Sequence, residues 1–525
     1  MNSTIPTSAK YSKIILSAIV FLSIVIRLPM LGWYTGDAGV YSIYSRSIYE
    51  RSIGIYNSYS GYVMQTRKDY PPLYFLMVAF FYHLFGVSYV NGCLVTFIFG
   101  VLTVPATYLL ATSTYGKREG LISAFIISIL PWHIVFSGVI LIDPVVAFFT
   151  TISVVVFLKT LKTEKWTHFV TLGIVMGLAY LTKTYAVILF PIFGVYFVVH
   201  HFYLRDEGKT ISSSFKDNLF KFLVASVISF MLLATWFLNL GIEAITTHEA
   251  LVKQLVPSRH GTFSPLFSIE FLAMELKFII IFFFLGIVKV FFDKDKKGLL
   301  LFTLIAIPFA GYTFLAVVLK NLHAVWNFPR YVIMTIPPMC ILITKGFDQF
   351  HDFIYQMYLY SPRSIKTLIK NIRRHWIFAP RGNRLYLLVY TVFLFSNLFL
   401  ATRYYRLLII GQVYFNGTQH IGDRQMVIEM ACKYAENNLP ENSIIVAGNA
   451  DIYWLLEFYL IPMMEVRSQD DISSLAKSSE VTRFYYISYF SSPPDLSYPL
   501  KTTLLFTAHD ADHPTMNSYL FEFSK

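Results

Sequence analysis

The chain has 525 residues, of which 55% are apolar, 18% aromatic and only 14% charged, and its formal net charge is +12. Soluble domains carry roughly 25% charged residues, so too few polar groups are present to cover a water-exposed globule. The basic excess is scattered over short segments between long apolar runs, which excludes a nucleic-acid-binding stripe and makes the charge topogenic.

The apolar runs, about 18–25 residues each, match the roughly 30 Å hydrocarbon core when helical. They fall near 14–31, 88–114, 120–137, 143–160, 168–184, 186–203, 219–241, 268–292, 298–319, 330–346 and 384–402. The expected fold class is therefore an all-α polytopic membrane protein with about 11 transmembrane helices. The first run is too long for a cleaved signal peptide, and no small-residue cleavage site follows it. "LYFLMVAFFYHLFG" (73–86) is half the length of a span and reads as a helix lying in the interface.

Lys and Arg concentrate in alternate loops: "YGKREG", "KTLKTEK", "RDEGKTISSSFKDNLFK", "DKDKKG" and the segment 346–383. The positive-inside rule makes these cytoplasmic and puts the amino terminus inside. Asp37, Asp69 and Asp143 then share the outer side with the 242–267 and 320–329 loops and with everything after 403. The basic stretch "SIKTLIKNIRRHW" has two readings, an amphipathic helix on the anionic inner leaflet or a solvated connector.

After residue 403 the pattern changes. "ENSIIVAGNADIYWLL" couples a short β-like run to a helix-like one, and "TRFYYISYF" and "NSYLFEF" read as strands. The expected organisation is a transmembrane domain over 1–402, with its first outer loop at 32–72, and a small extracytoplasmic α/β domain over 403–525. The three cysteines, Cys93, Cys340 and Cys432, lie in two spans and the outer segment, so no disulfide framework is visible. No CxxC pair, HExxH, Walker loop or GxSxG motif occurs.

Carboxylates at a membrane edge are costly unless solvated, paired or used. Asp37 in "GDAGVYSIYSRSIYE" reads as a helix N-cap. Asp69 in "RKDYPPLYF" reads as a turn residue ahead of the prolines that open the next helix. Either reading suffices for one acid alone, but the order of motifs along the chain carries more.

A span, an outer loop with Gly36-Asp37, "DYPPLYFLMVAFFYHLFG", "LIDPVVAFF", "LAYLTKTYAVILFP" and "NFPRYVIMTIPP" follow one another. This order resembles the GT-C superfamily of polyprenyl-phosphate-sugar glycosyltransferases. It is most similar to the branch containing protein O-mannosyltransferases and the aminoarabinose transferase of lipid A. The resemblance covers roughly residues 14–346 and lies in order and spacing, since each motif alone is short. It implies an integral-membrane glycosyltransferase that moves a mannose-like sugar, or another hexose or pentose, from a polyprenyl- or dolichyl-phosphate donor. The acceptor would be a protein, lipid or polysaccharide.

Residue by residue, Asp37 matches the family's acidic catalytic residue after the first span. Asp69 matches the acid ahead of Pro-Pro, and Asp143-Pro144 the Asp-Pro pair. Two positions depart from the pattern. Tyr70 stands where a Lys is common, with Lys68 one place before Asp69, which puts the role of Lys68 in question. Asp37-Ala38 replaces the Asp-Glu of many of these enzymes, which puts membership among the strict protein mannosyltransferases in question.

The residue types suit the reaction. A sugar phosphate has a good leaving group, so its departure needs electrostatic help more than a proton. The attacking hydroxyl needs one general base, and direct displacement would invert the anomeric centre, by analogy with inverting glycosidases. Candidate donor-binding side chains are Arg330, Lys183, Lys68, Tyr70, Arg46 or Arg51, and His248. Arg330 and Lys183 have a rival reading as cations that snorkel to the headgroups. The cofactor is left open: His248 with Asp69 is a pair that a divalent ion could use, but a closed site wants three or four ligands.

The rival class is a transporter or flippase for a lipid-linked or anionic substrate, with Arg27 and Lys183 marking its pathway. Acids gathered at one face, and no evident inverted repeat, argue against it. The expected setting is a prokaryotic cell membrane with the site outside; an endoplasmic reticulum membrane with a lumenal site is the alternative. Donor sugar, acceptor and oligomeric state are not legible.

Overall fold

Helices follow the apolar runs closely, and proline accounts for the main exception. The computed structural model describes residues 9–32, 36–55, 70–202, 211–240, 272, 276, 279–317, 330, 332–360, 421–440, 443–448, 465–467, 472–478, 483–488, 501–509 and 517–524. Among these, six helices are long and apolar enough to cross a membrane: Tyr11–Met30, Tyr89–Thr114, Asp143–Thr163, Thr184–His201, Phe215–Trp236 and Lys296–Phe314. Trp166–Thr182 and Ile280–Phe292 are apolar but shorter. The expected span at 384–402, the domain boundary near 402 and the stretch 361–383 lie outside the described residues. The chain is thus a multi-pass membrane protein.

In chain order the membrane part comprises α1 (Ala9–Arg27), α2 (Gly36–Ser52), α3 (Leu73–Phe85), α4 (Tyr89–Thr114), α5 (Lys117–Ile129) and α6 (Pro131–Phe136). It continues with α7 (Asp143–Thr163), α8 (Trp166–Thr182), α9 (Leu189–Phe202), α10 (Ile211–Leu240), α11 (Ile280–Phe292), α12 (Lys296–Val317) and α13 (Ile336–Tyr360). α4 packs against both α5 and α7, α8 against α10, and α11 against α13. The half-length α3 buries Tyr74, Phe75, Val78, Ala79 and Tyr82 and packs on α2 and α4.

The region expected as one span over 120–137 is broken between α5 and α6. Pro131 has no N–H to give to Ile127, so a continuous helix would lose a hydrogen bond and clash there. Leu130 accordingly turns to extended backbone, φ −69° and ψ 124°. The freed carbonyls are met by Arg27, which is fully buried. Its Nη1 donates to Ser128 O (3.0 Å), Ser23 O (3.2 Å) and Ser23 Oγ (2.6 Å). Its Nη2 donates to Ile127 O (3.3 Å) and lies 2.7 Å from His133 Nδ1. A guanidinium only donates, so His133 Nδ1 accepts here and the imidazole is neutral. Arg27, weighed above as a marker of a transport path, instead completes a broken helix.

From α6 to α7 the backbone runs irregularly through 137–142, and every residue from 126 to 147 is buried. Gly138 presses on the Met30 backbone, where a Cβ would run into the Met30 carbonyl. Gly32 N donates to Gly138 O at 3.0 Å.

The carboxy-terminal part carries α14 (Ile421–Asn438), α15 (Ile472–Lys477) and five strands: β1 (Ile444–Ala447), β2 (Glu465–Arg467), β3 (Arg483–Ser488), β4 (Lys501–His509) and β5 (Asn517–Ser524). The sheet order is β2-β1-β3-β5-β4, with β1 parallel to β2 and β3, and β5 antiparallel to β3 and β4. Strand residues alternate between faces. Val446, Phe484, Tyr486, Phe521 and Phe523 bury with Ile472 and Leu475 of α15. α14 packs on β4 and β5, with Tyr434 stacked on Phe506 at 4.4 Å. The small α/β unit expected from the sequence is present, and all three cysteines are free and buried.

Candidate active site

Asp143 opens α7, with Pro144 in the first turn, where a missing N–H costs nothing. Its side chain is fully buried and grips two cations. Lys183 Nζ donates to Oδ1 at 2.7 Å, and Arg330 Nε donates to Oδ2 at 3.1 Å. Lys183 follows the last residue of α8 in extended backbone, φ −155° and ψ 131°, and its ammonium also sits 4.8 Å above the Tyr185 ring. Arg330 lies just before the 3-10 turn Ile333–Thr335 that leads into α13. The cations keep only 14% and 13% side-chain exposure against 0% for Asp143. Among the described residues, the cluster thus joins one buried carboxylate to two cations.

Arg330 reaches a third element: its Nη2 donates to Tyr41 OH at 3.2 Å. Tyr41, on α2, is buried in an aromatic nest. Its ring meets Tyr70 at 5.6 Å, Phe75 at 5.6 Å and Tyr74 at 6.3 Å, all edge-on, and Tyr44 meets Phe75 at 4.6 Å. Edge-to-face pairs of this kind add about 0.5–1.5 kcal/mol beyond their buried area, so these rings tie α2 to α3 next to Arg330.

The expected site residues fall into four groups. Asp143, Lys183 and Arg330 are brought into direct contact, although 40 and 187 residues separate the partners. Tyr70 sits in the nest beside them, whereas Arg46, on α2, is paired with Glu50 one turn on, at 2.7 Å. Lys68, Asp69 and His248 lie outside the described residues. Asp37 is inside the first turn of α2, not at the capping position before it, because the helix starts at Gly36. Helix starts favour negative charge. Tyr41 was not singled out from sequence; the available signal was its place one helical turn after Asp37, on the same helix face.

No group of three or more His, Cys, Asp or Glu suited to a metal ion occurs among the described residues. Chemically, the cluster sets two cations, Lys183 and Arg330, beside one buried carboxylate. Lys supplies three N–H groups and Arg five.

Comparison with known proteins bears on that reading. The family model for dolichyl-phosphate-mannose-protein mannosyltransferase matches residues 58–243. No curated protein sequence matches the chain. In fold the chain is similar to ArnT from Cupriavidus metallidurans in the apo state, at 15% identity over 98% of each chain with a TM-score of 0.62. It is similar to the same protein bound to undecaprenyl phosphate, at 16% identity, 98% of each chain and a TM-score of 0.58. The archaeal oligosaccharyltransferase AglB from Archaeoglobus fulgidus, in complex with an inhibitory peptide and a dolichol-phosphate, aligns at 13% identity and a TM-score of 0.54. That alignment covers 91% of this chain and 70% of AglB. The fold is a GT-C fold, like that of ArnT. The family match and the fold agree with the resemblance that the order of motifs carries.

Proposed function

We propose that the chain transfers a sugar from a polyprenyl-phosphate donor to an acceptor hydroxyl, with inversion, on the extracytoplasmic face. The observation that carries this reading is the Asp143–Lys183–Arg330 cluster, a partly buried cation pair gathered on one buried carboxylate at the motif positions. A lipid phosphate docked there gains charge-assisted hydrogen bonds. As the bond from the anomeric carbon to the phosphate oxygen breaks, the negative charge that develops on the leaving phosphate stays beside Lys183 and Arg330. Preorganised charge of this kind commonly supplies more of an enzyme's rate enhancement than any other effect.

The attacking hydroxyl forms the new bond to the anomeric carbon and gives its proton to a carboxylate. The match in order assigns that base to Asp37, with Asp69 as a second acid of the first loop. Asp143 engages a cation at each oxygen, so its part is to hold the cations rather than to take the proton. Tyr70, Lys68, Arg46 and His248 are placed as donor or acceptor contacts, and the segment after 403 as a separate extracytoplasmic domain. ArnT with undecaprenyl phosphate and AglB with dolichol-phosphate support a lipid-phosphate donor by analogy of fold.

The test uses purified protein and a radiolabelled polyprenyl-phosphate sugar, with release of lipid phosphate as the readout. Asp37→Asn keeps size but removes charge and basicity, and turnover should fall about 10²–10⁴-fold, with thermal stability changing by no more than the roughly 0.3–1 kcal/mol of a charge at a helix start. An Asn variant that keeps most of the transfer rate would sink the base assignment.

A further inference from the structure

The backbone that delivers Asp143 is irregular over 137–142, yet lies wholly inside the bundle. Non-helical backbone at membrane depth survives only if its polar groups find partners within the protein. At Leu141, two residues before Asp143, the partner is a side-chain relay. Thr96 Oγ1, on α4, donates to Leu141 O at 3.2 Å, and Tyr74 OH lies 2.9 Å from Thr96 Oγ1. A threonine has one proton to give. With that proton on Leu141 O, Tyr74 must be the donor to Thr96, so the relay runs from Tyr74 through Thr96 to Leu141.

Tyr74 is fully buried on α3, and its ring packs edge-on against Tyr41, the residue that receives Arg330. The contacts therefore close a ring: Asp143, Arg330, Tyr41, Tyr74, Thr96, Leu141 and back to Asp143. We propose that Tyr74 is a positioning residue for the ion cluster, fixing through its hydroxyl the backbone ahead of Asp143 and through its ring the tyrosine that holds Arg330. It touches no reacting group itself. The inference rests on the reading of the cluster as the donor-phosphate site, and the experiment separates the two.

The readouts are the affinity of the full-length purified protein for undecaprenyl phosphate in detergent micelles, the KM and kcat for donor, and thermal stability. Tyr74→Phe keeps the ring and its packing but removes the hydroxyl. Affinity should fall by about three- to tenfold, the scale of one buried hydrogen bond, with the loss in KM and little in kcat. Thr96→Val should lose a similar factor, Thr96→Ser should retain wild-type affinity, and the double variant Tyr74→Phe/Thr96→Val should be no worse than either single. Additive losses in the double variant, or loss in Thr96→Ser equal to that in Thr96→Val, would overturn the relay. Lys183→Met is the control for the underlying reading. If it binds undecaprenyl phosphate like wild type, the cluster is not the phosphate site. If it loses binding while Tyr74→Phe does not, the site stands and the role of Tyr74 falls.

Discussion

Asp143 holds two cations that share almost no water with it, so its removal acts on stability before it acts on chemistry. Breaking a buried pair costs about 3–5 kcal/mol, and the low end applies here because Lys183 and Arg330 keep 14% and 13% exposure. Asp143→Asn should lower the melting temperature and the turnover together. Saturating undecaprenyl phosphate should recover more stability in the variant than it adds to wild type, since it supplies the missing anion. Recovery no greater than in wild type would mean that the cations do not face the phosphate. The three members of this cluster were each legible from motif order, because Asp143 and Arg330 adjoin a proline at a span end and Lys183 sits in a very short turn between two apolar runs. Their meeting was not, since nothing local records which of many cations a buried carboxylate selects. Tyr74 and Thr96 were illegible for a related reason: a tyrosine in an apolar helix and a threonine in a span look the same whether they line a site or fill a core.

At the scale of elements, hydropathy located most of the described helices; it missed that α13 runs on to Tyr360, past the expected end at 346, and it averaged across a proline. The run 120–137 is apolar throughout, so a window sees one span, while Pro131 ends one helix and begins another. The half-length helix at 73–85 was legible from length alone. What no window reports is how close two helices come. α11 and α13 approach through Gly286 and Gly346, where a Cβ on Gly346 would strike the Phe282 carbonyl and one on Gly286 the Leu342 carbonyl. Small residues permit such backbone approach in membranes, and Phe282 stacks on Phe347 at 4.1 Å beside it. Gly346→Ala should push the helices apart at a cost of about 1–3 kcal/mol, read as a lower melting temperature. Because α13 follows directly from Arg330, donor affinity should weaken as well. An unchanged melting temperature would contradict the close approach.

For the whole molecule, composition and charge pattern were enough to read a polytopic chain with a soluble-type tail, and alternating strands marked the sheet. Its order, β2-β1-β3-β5-β4, was not legible, because pairing between distant short strands depends on contacts that no local pattern encodes. The orientation proposed from the basic loops can be tested with one cysteine. Lys501 is exposed on β4 and the three native thiols are buried, which keeps the background low. Lys501→Cys should react with an impermeant thiol reagent added outside intact cells. Labelling only after permeabilisation would reverse the orientation and move the proposed site to the other face.

The distance along the chain between Asp143 and its two partners has a consequence for biosynthesis. Chains enter the membrane from the amino terminus onward, so Asp143 is inserted first, Lys183 40 residues later and Arg330 187 residues later. After Lys183 arrives, the nascent bundle holds a neutral pair that needs no counter-ion. The second cation joins Asp143 only when the Arg330 segment docks ahead of α13. On the proposed reading, a chain truncated before Arg330 lacks the second cation of the cluster and should bind undecaprenyl phosphate more weakly than the full-length protein.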